Sequence, residues 1–172
     1  MKVAWVFGAT VVALALQTTL TRIPMRGGLT VDLVLVAVIY MALSAGPVTG
    51  MLTGTFAGLV QDALSTGAGV GIIGVGGFSK MLVGLLAGVV GTQFIVAQPF
   101  SRFIVFLVGS FLHGLVFIGI YTLLGLREFG TPYASILEQA VANAAVGVIA
   151  FQLAEFLPGS VERRRHARMR PR

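Results

Sequence analysis

Apolar residues run through this chain in long blocks, broken at wide intervals by charge, proline and glycine. A bilayer core of about 30 Å needs roughly 20 helical residues at 1.5 Å each, and blocks of that order recur six times. The first extends from Val3 to Leu20 and is followed by Thr21-Arg22-Ile23-Pro24-Met25-Arg26-Gly27-Gly28, a polar, turn-rich loop. At about 18 residues it exceeds the 7 to 15 typical of a cleaved signal core, and it reads as a retained first span. From Val31 to Leu64 the chain stays apolar for too long to be one span, and Gly46-Pro47 near its middle predicts a hairpin of two short helices. A loop at Ser65-Thr66-Gly67-Ala68-Gly69 and a Gly-dense stretch from Val70 to Phe78 lead into a fourth span ending near Ala97. That entry, with Gly71, Gly74, Gly76 and Gly77, is open to a helical or a re-entrant reading across residues 70–77. Phe103 to Leu124 and Ala134 to Leu157 make the fifth and sixth spans, the last one stopped by Pro158-Gly159.

Composition agrees with that parse and removes several function classes. Only 10% of the 172 residues are charged and 56% are hydrophobic, against about a quarter charged in a soluble domain. The expected fold is therefore all-α, a polytopic bundle of about six helices over residues 1–160 with a basic tail at 161–172. No cysteine is present, so disulfides, thiolate nucleophiles and cysteine-based metal sites are excluded. The net charge of +6 is concentrated at Arg163, Arg164, Arg165, Arg168, Arg170 and Arg172. Placed directly after a hydrophobic segment, such a tail sets topology and meets anionic lipid headgroups. Without interleaved aromatic residues it offers nucleic acid no stacking platform. With both termini cytoplasmic, Lys2, Arg102 and the tail arginines lie inside and Arg22, Arg26 and Arg127 outside, which the positive-inside rule favours.

Ionisable groups inside apolar runs are the candidate sites, because a charge at the bilayer centre costs about 2.5 to 3.5 kcal/mol. They are Asp62, Lys80, His113, Glu138 and Glu155, with Gln17 and Asn143 as neutral polar residues. Asp62 near the end of the third span and Lys80 near the matching end of the fourth predict an intramembrane pair, or two charges that snorkel separately to the interface. His113, alone in the fifth span, supports an interhelical hydrogen bond better than a metal site, since His166 belongs to the tail. Glu138 and Asn143 are spaced to face different ways, which argues against a joint site. No G-x-S-x-G, H-E-x-x-H or P-loop occurs, so neither an enzyme nor a cofactor is expected.

The most specific local pattern is Gly50-x-x-x-Gly54-x-x-x-Gly58-x-x-x-Asp62 on the third span, echoed by Gly84-x-x-x-Gly88 on the fourth. Four-residue spacing lines glycines along one helix face, where another backbone can approach closely. Packing of the third span against the fourth is the economical reading, and a partner subunit is the other.

These residues resemble the rod shape-determining protein MreD family. The likeness rests on the short six-span layout and on Val31-Asp32-Leu33-Val34-Leu35, where that family typically shows Pro-Asp-Leu-Leu-Leu. It rests most on Gly54-x-x-x-Gly58-Leu59-x-x-Asp62 followed by a Gly-rich turn and Lys80. It covers most of the chain, strongest from Thr30 to Gly91; Val31 departs from the family's proline. The resemblance implies a non-enzymatic inner-membrane component of the bacterial cell-elongation complex. Its implied partners are an MreC-like bitopic protein and, through it, RodA, a class-B penicillin-binding protein and MreB. It also implies a fold similar to the substrate-binding subunits of energy-coupling-factor transporters. That similarity supplies the alternative: a small-molecule transporter subunit, for a vitamin or a metal, with a cavity lined by Asp62, Lys80 and His113.

Overall fold

The structure, a computed structural model, describes residues 31–66, 73–94, 96, 98–126 and 132–156. Among the described residues it is all-α, with helices α1 (Leu33–Ala45), α2 (Pro47–Thr66), α3 (Val75–Gln93), α4 (Pro99–Leu123) and α5 (Pro132–Phe156). The expected first span with Gln17, residues 70–72 of the glycine-rich entry, and the arginine tail lie outside the described residues. Among the described residues three helical segments, Val75–Gln93, Pro99–Leu123 and Tyr133–Ala154, are long and apolar enough to cross a membrane.

The hairpin between α1 and α2 forms where Gly46-Pro47 places it. Gly46 takes φ 93°, a left-handed value that an L side chain resists. Pro47 then opens α2 with its φ already helical and no N–H left to satisfy. Beyond residue 72, the Gly-dense entry is a helix start: Gly74 is a left-handed N-cap and Gly76 and Gly77 are helical. The fourth expected span ends earlier than predicted, at Gln93, and α4 starts earlier, at Pro99. Proline at a first helical position explains the second shift, and it carries Arg102 out of the expected loop into the first turn of α4. There Arg102 is buried, with its guanidinium 4.0 Å above the Phe151 ring of α5.

α1 is the centre of the bundle and touches each of the other four helices. Its Leu35, Val36, Ile39 and Ala42 form one cluster with Val83, Ala87, Phe106 and Ala144 from α3, α4 and α5. At 13 residues it is roughly 20 Å long, short of a full crossing.

α2 and α3 meet backbone to backbone. A Cβ built on Gly50 would strike the Gly84 carbonyl, one on Gly54 the Lys80 carbonyl, and one on Gly88 the backbone of Pro47. The opposite face of α2 exposes Val48, Leu52, Phe56 and Leu59, an apolar stripe suited to lipid. Its threonines satisfy their hydroxyls locally: Thr53 Oγ1 donates to the Thr49 carbonyl at 2.7 Å and Thr55 Oγ1 to Met51 at 2.9 Å. Such bonds keep hydroxyls tolerable away from water. α4 and α5 run antiparallel, with Gly147 under the Phe106 ring and Gly114 under Ile136. That register sets Ser110 level with Asn143.

Candidate functional site: a buried charge network

Asp32 sits immediately before α1 and caps it. Its Oδ1 accepts the Leu35 N–H at 2.9 Å, which satisfies one of the four N–H groups left open at a helix start. Its Oδ2 lies 2.7 Å from Lys80 Nζ in the second turn of α3. The Lys80 ammonium also donates toward His113 Nε2 at 3.4 Å, and that nitrogen is 3.7 Å from Asp32 Oδ2. From α5, Asn143 Oδ1 accepts the backbone N–H of Asp32 at 2.8 Å. Four helices thus meet at Asp32, α3 and α4 at its carboxylate and α5 at its backbone N–H, and all four residues are buried, at 5%, 3%, 7% and 0% exposure in chain order.

The network lies at membrane depth. Gly88 against Pro47 puts the end of α3 beside the α1–α2 turn, and Arg102, Phe151 and Tyr40 bring the start of α4 and the end of α5 to the same side. Counted from that side at 1.5 Å per residue, Asp32, Lys80, His113 and Asn143 are each roughly 20 Å in. Val31 and Asp32 are already non-helical there. Irregular backbone inside a bilayer is tolerated only where protein or water satisfies it, and Asn143 does so for the Asp32 N–H. A second effect favours the carboxylate at this point, because the start of a helix carries a partial positive charge.

The expected pairing of Lys80 with Asp62 is corrected by this geometry: the carboxylate that Lys80 meets is Asp32. Asp62 stands level with the first turn of α3, where its Oδ2 accepts the N–H groups of Gly74, Gly76 and Gly77 at 2.8, 2.9 and 3.2 Å. Those amides have no partner within the helix, so Asp62 closes the gap, while Lys80 lies a turn deeper and faces the start of α1. Asp62→Ala is therefore expected to cost about 1–3 kcal/mol of stability, and Lys80→Ala should give no rescue. Thermal unfolding of the single and double variants in detergent measures this, and recovery in the double variant would restore the Asp62–Lys80 pair.

His113 and Asn143, expected as polar positions apart from the Lys80 pair, join Lys80 in one network around Asp32. Asp32 is the residue that reading the chain for intramembrane charge passed over. The available signal was an aspartate directly before an apolar helical run, the signature of an N-cap. Glu138 is exposed on α5, turned away from Asn143. The network's chemistry is that of a clamp: an ammonium at its centre opposes a cation, and its charges are spent on each other.

Fold and site together define a membrane protein: a helical bundle clamped by a buried charge network around a short central helix. The chain belongs to the rod shape-determining protein MreD family, whose model matches residues 1–157. It is a rod shape-determining membrane protein, and its role is in cell shape. Comparison with curated proteins and with solved structures found no match.

Proposed function

We propose that this protein is a multi-pass, non-enzymatic scaffold of the bacterial inner membrane. It binds an MreC-like bitopic protein and, through it, RodA, a class-B penicillin-binding protein and MreB, and so helps to organise peptidoglycan synthesis. Both termini lie on the cytoplasmic side, where Arg163, Arg164, Arg165 and Arg168 meet anionic lipid. The observation that carries this reading is the use made of the buried charges. Asp32, Lys80 and His113 neutralise and orient one another inside the bundle, as a protein built to hold a shape requires, whereas a catalyst must present such groups to a substrate. Family membership supports the same role. The transporter reading needs Asp62, Lys80 and His113 around one cavity, and Asp62 is instead engaged with the backbone of α3.

Co-expression with an MreC-like partner, followed by extraction in mild detergent and affinity capture, tests the proposal. A stable co-purified complex is the expected result. A protein recovered alone under those conditions would remove the scaffold reading.

A further inference from the structure

The hydrogen bonds around Asp32 determine which atoms beside it are left over. Asn143 Oδ1 is used by the Asp32 N–H, so the amide group facing away is Nδ2, a donor. His113 Nε2 faces the Lys80 ammonium and must accept from it, which places the ring proton on Nδ1. Asn143 Nδ2, His113 Nδ1 and Ser110 Oγ are each buried with no hydrogen-bond partner among the described residues. The three residues are at most 7% exposed.

The fold brings these orphaned groups to one level. The register fixed by Gly147 under Phe106 and Gly114 under Ile136 puts Ser110 opposite Asn143 across the α4–α5 contact. Ser110 and His113 are three residues apart on α4, where side chains are neighbours, with Cβ atoms roughly 5–6 Å apart. Nδ1, next to the side-chain stem, stays close to α4. Two donors and one hydroxyl are therefore left, among the described residues, without an acceptor at one level of the α4–α5 contact. An unpaired buried donor costs roughly 1–3 kcal/mol, so two or three side by side call for an occupant.

We propose that Ser110, His113 and Asn143 hold a buried water molecule, which joins α4 to α5 beside the Asp32–Lys80 pair. The occupant is an acceptor, because the groups facing it are donors. It is neutral, because the charges of Asp32 and Lys80 already cancel and a further anion would be uncompensated. It is small, because each orphaned atom is closed off from the surface. Buried waters typically make about three hydrogen bonds to otherwise unsatisfied groups, the number available here. The consequence is a wet point at membrane depth, next to a helix that begins there, through which His113 can exchange its ring proton.

Solid-state NMR of the full chain in lipid bilayers, labelled with ¹⁵N-histidine, tests this directly. The variant His166→Gln leaves His113 as the single imidazole. The expected spectrum shows a protonated Nδ1 and an unprotonated Nε2, with magnetisation passing from water to the Nδ1 proton. Ser110→Ala, a small change expected to fold, should reduce that transfer several-fold while leaving the tautomer unchanged. A proton on Nε2 instead would overturn the proposal. So would an Nδ1 proton that receives nothing from water, as when a protein acceptor such as the Gln17 amide fills the place. Transfer unaffected by Ser110→Ala would likewise count against the site as drawn.

Discussion

Replacing Lys80 by methionine is expected to be among the most damaging single changes in this protein, costing about 3–5 kcal/mol, because it strands Asp32 as a lone buried carboxylate. The ion pair is 2.7 Å long and closed to solvent, and a charge of one sign at that depth has no bulk water to fall back on. The remedy should be to remove the second charge. Asp32→Asn keeps an oxygen able to cap α1, so Asp32→Asn combined with Lys80→Met is expected to recover much of the folded protein lost in Lys80→Met alone. Size-exclusion profiles of fluorescently tagged variants in detergent, with melting temperatures, provide the comparison. Equal loss in the single and double variants would show that the two charges do not depend on each other. In cells, the single variant should fail to restore rod shape and the double variant should restore it in part.

The second large effect is expected at Gly54. A methyl group there would lie against the carbonyl oxygen of Lys80, closer than real Cβ contacts come, and that oxygen is backbone, which cannot swing aside. Gly54→Ala must therefore push α2 off α3, at a cost of about 3 kcal/mol by analogy with overpacked cores. Gly54→Leu should prevent accumulation of the protein. Gly119 is the internal control. It is helical, and a Cβ there meets nothing within 4 Å among the described residues. Gly119→Ala should be neutral or stabilising by up to about 1 kcal/mol, since alanine is the better helix former. Melting temperatures of the two alanine variants decide the point, and similar losses at both positions would mean that the glycine face of α2 is not a tight contact. Gly50→Ala, whose Cβ would meet the Gly84 carbonyl, should behave like Gly54→Ala.

Both predictions bear on how the bundle serves a partner. The clamp at Asp32 and the glycine contact of α2 with α3 use up the polar and the close-packing surface of the central helices. The outer faces of α2, α3, α4 and α5 are left apolar, with Phe56, Phe78, Val108 and Ile149 among the exposed residues. A scaffold of the proposed kind would meet the membrane helix of its partner with such side chains, as membrane helices associate by packing apolar surface.

Reading the chain alone located most of the helices. The apolar blocks and the break at Gly46-Pro47 depend on local rules: helix length against bilayer thickness, the conformational freedom of glycine and the missing N–H of proline. The alignment of Gly50, Gly54 and Gly58 on one face was legible for the same reason, since helical periodicity is a local property. Helix boundaries were less so, and the early start of α4 at Pro99 buried Arg102, which the expected loop would have left at the surface.

What the sequence by itself determined is that this chain must bury long apolar blocks as helices, keep its few charges apart from lipid and bring glycine-faced helices close. Only the tertiary structure decided which charges meet. Asp32 and Lys80 are far apart in sequence, and Asp62 is nearer to Lys80, so proximity along the chain favoured the wrong partner. The choice depended on depth: α1 starts partway through the bundle, level with Lys80, His113 and Asn143, while Asp62 ends up level with the open amides of α3. Depth and facing direction come from how helices pack against each other, and no local rule carries them.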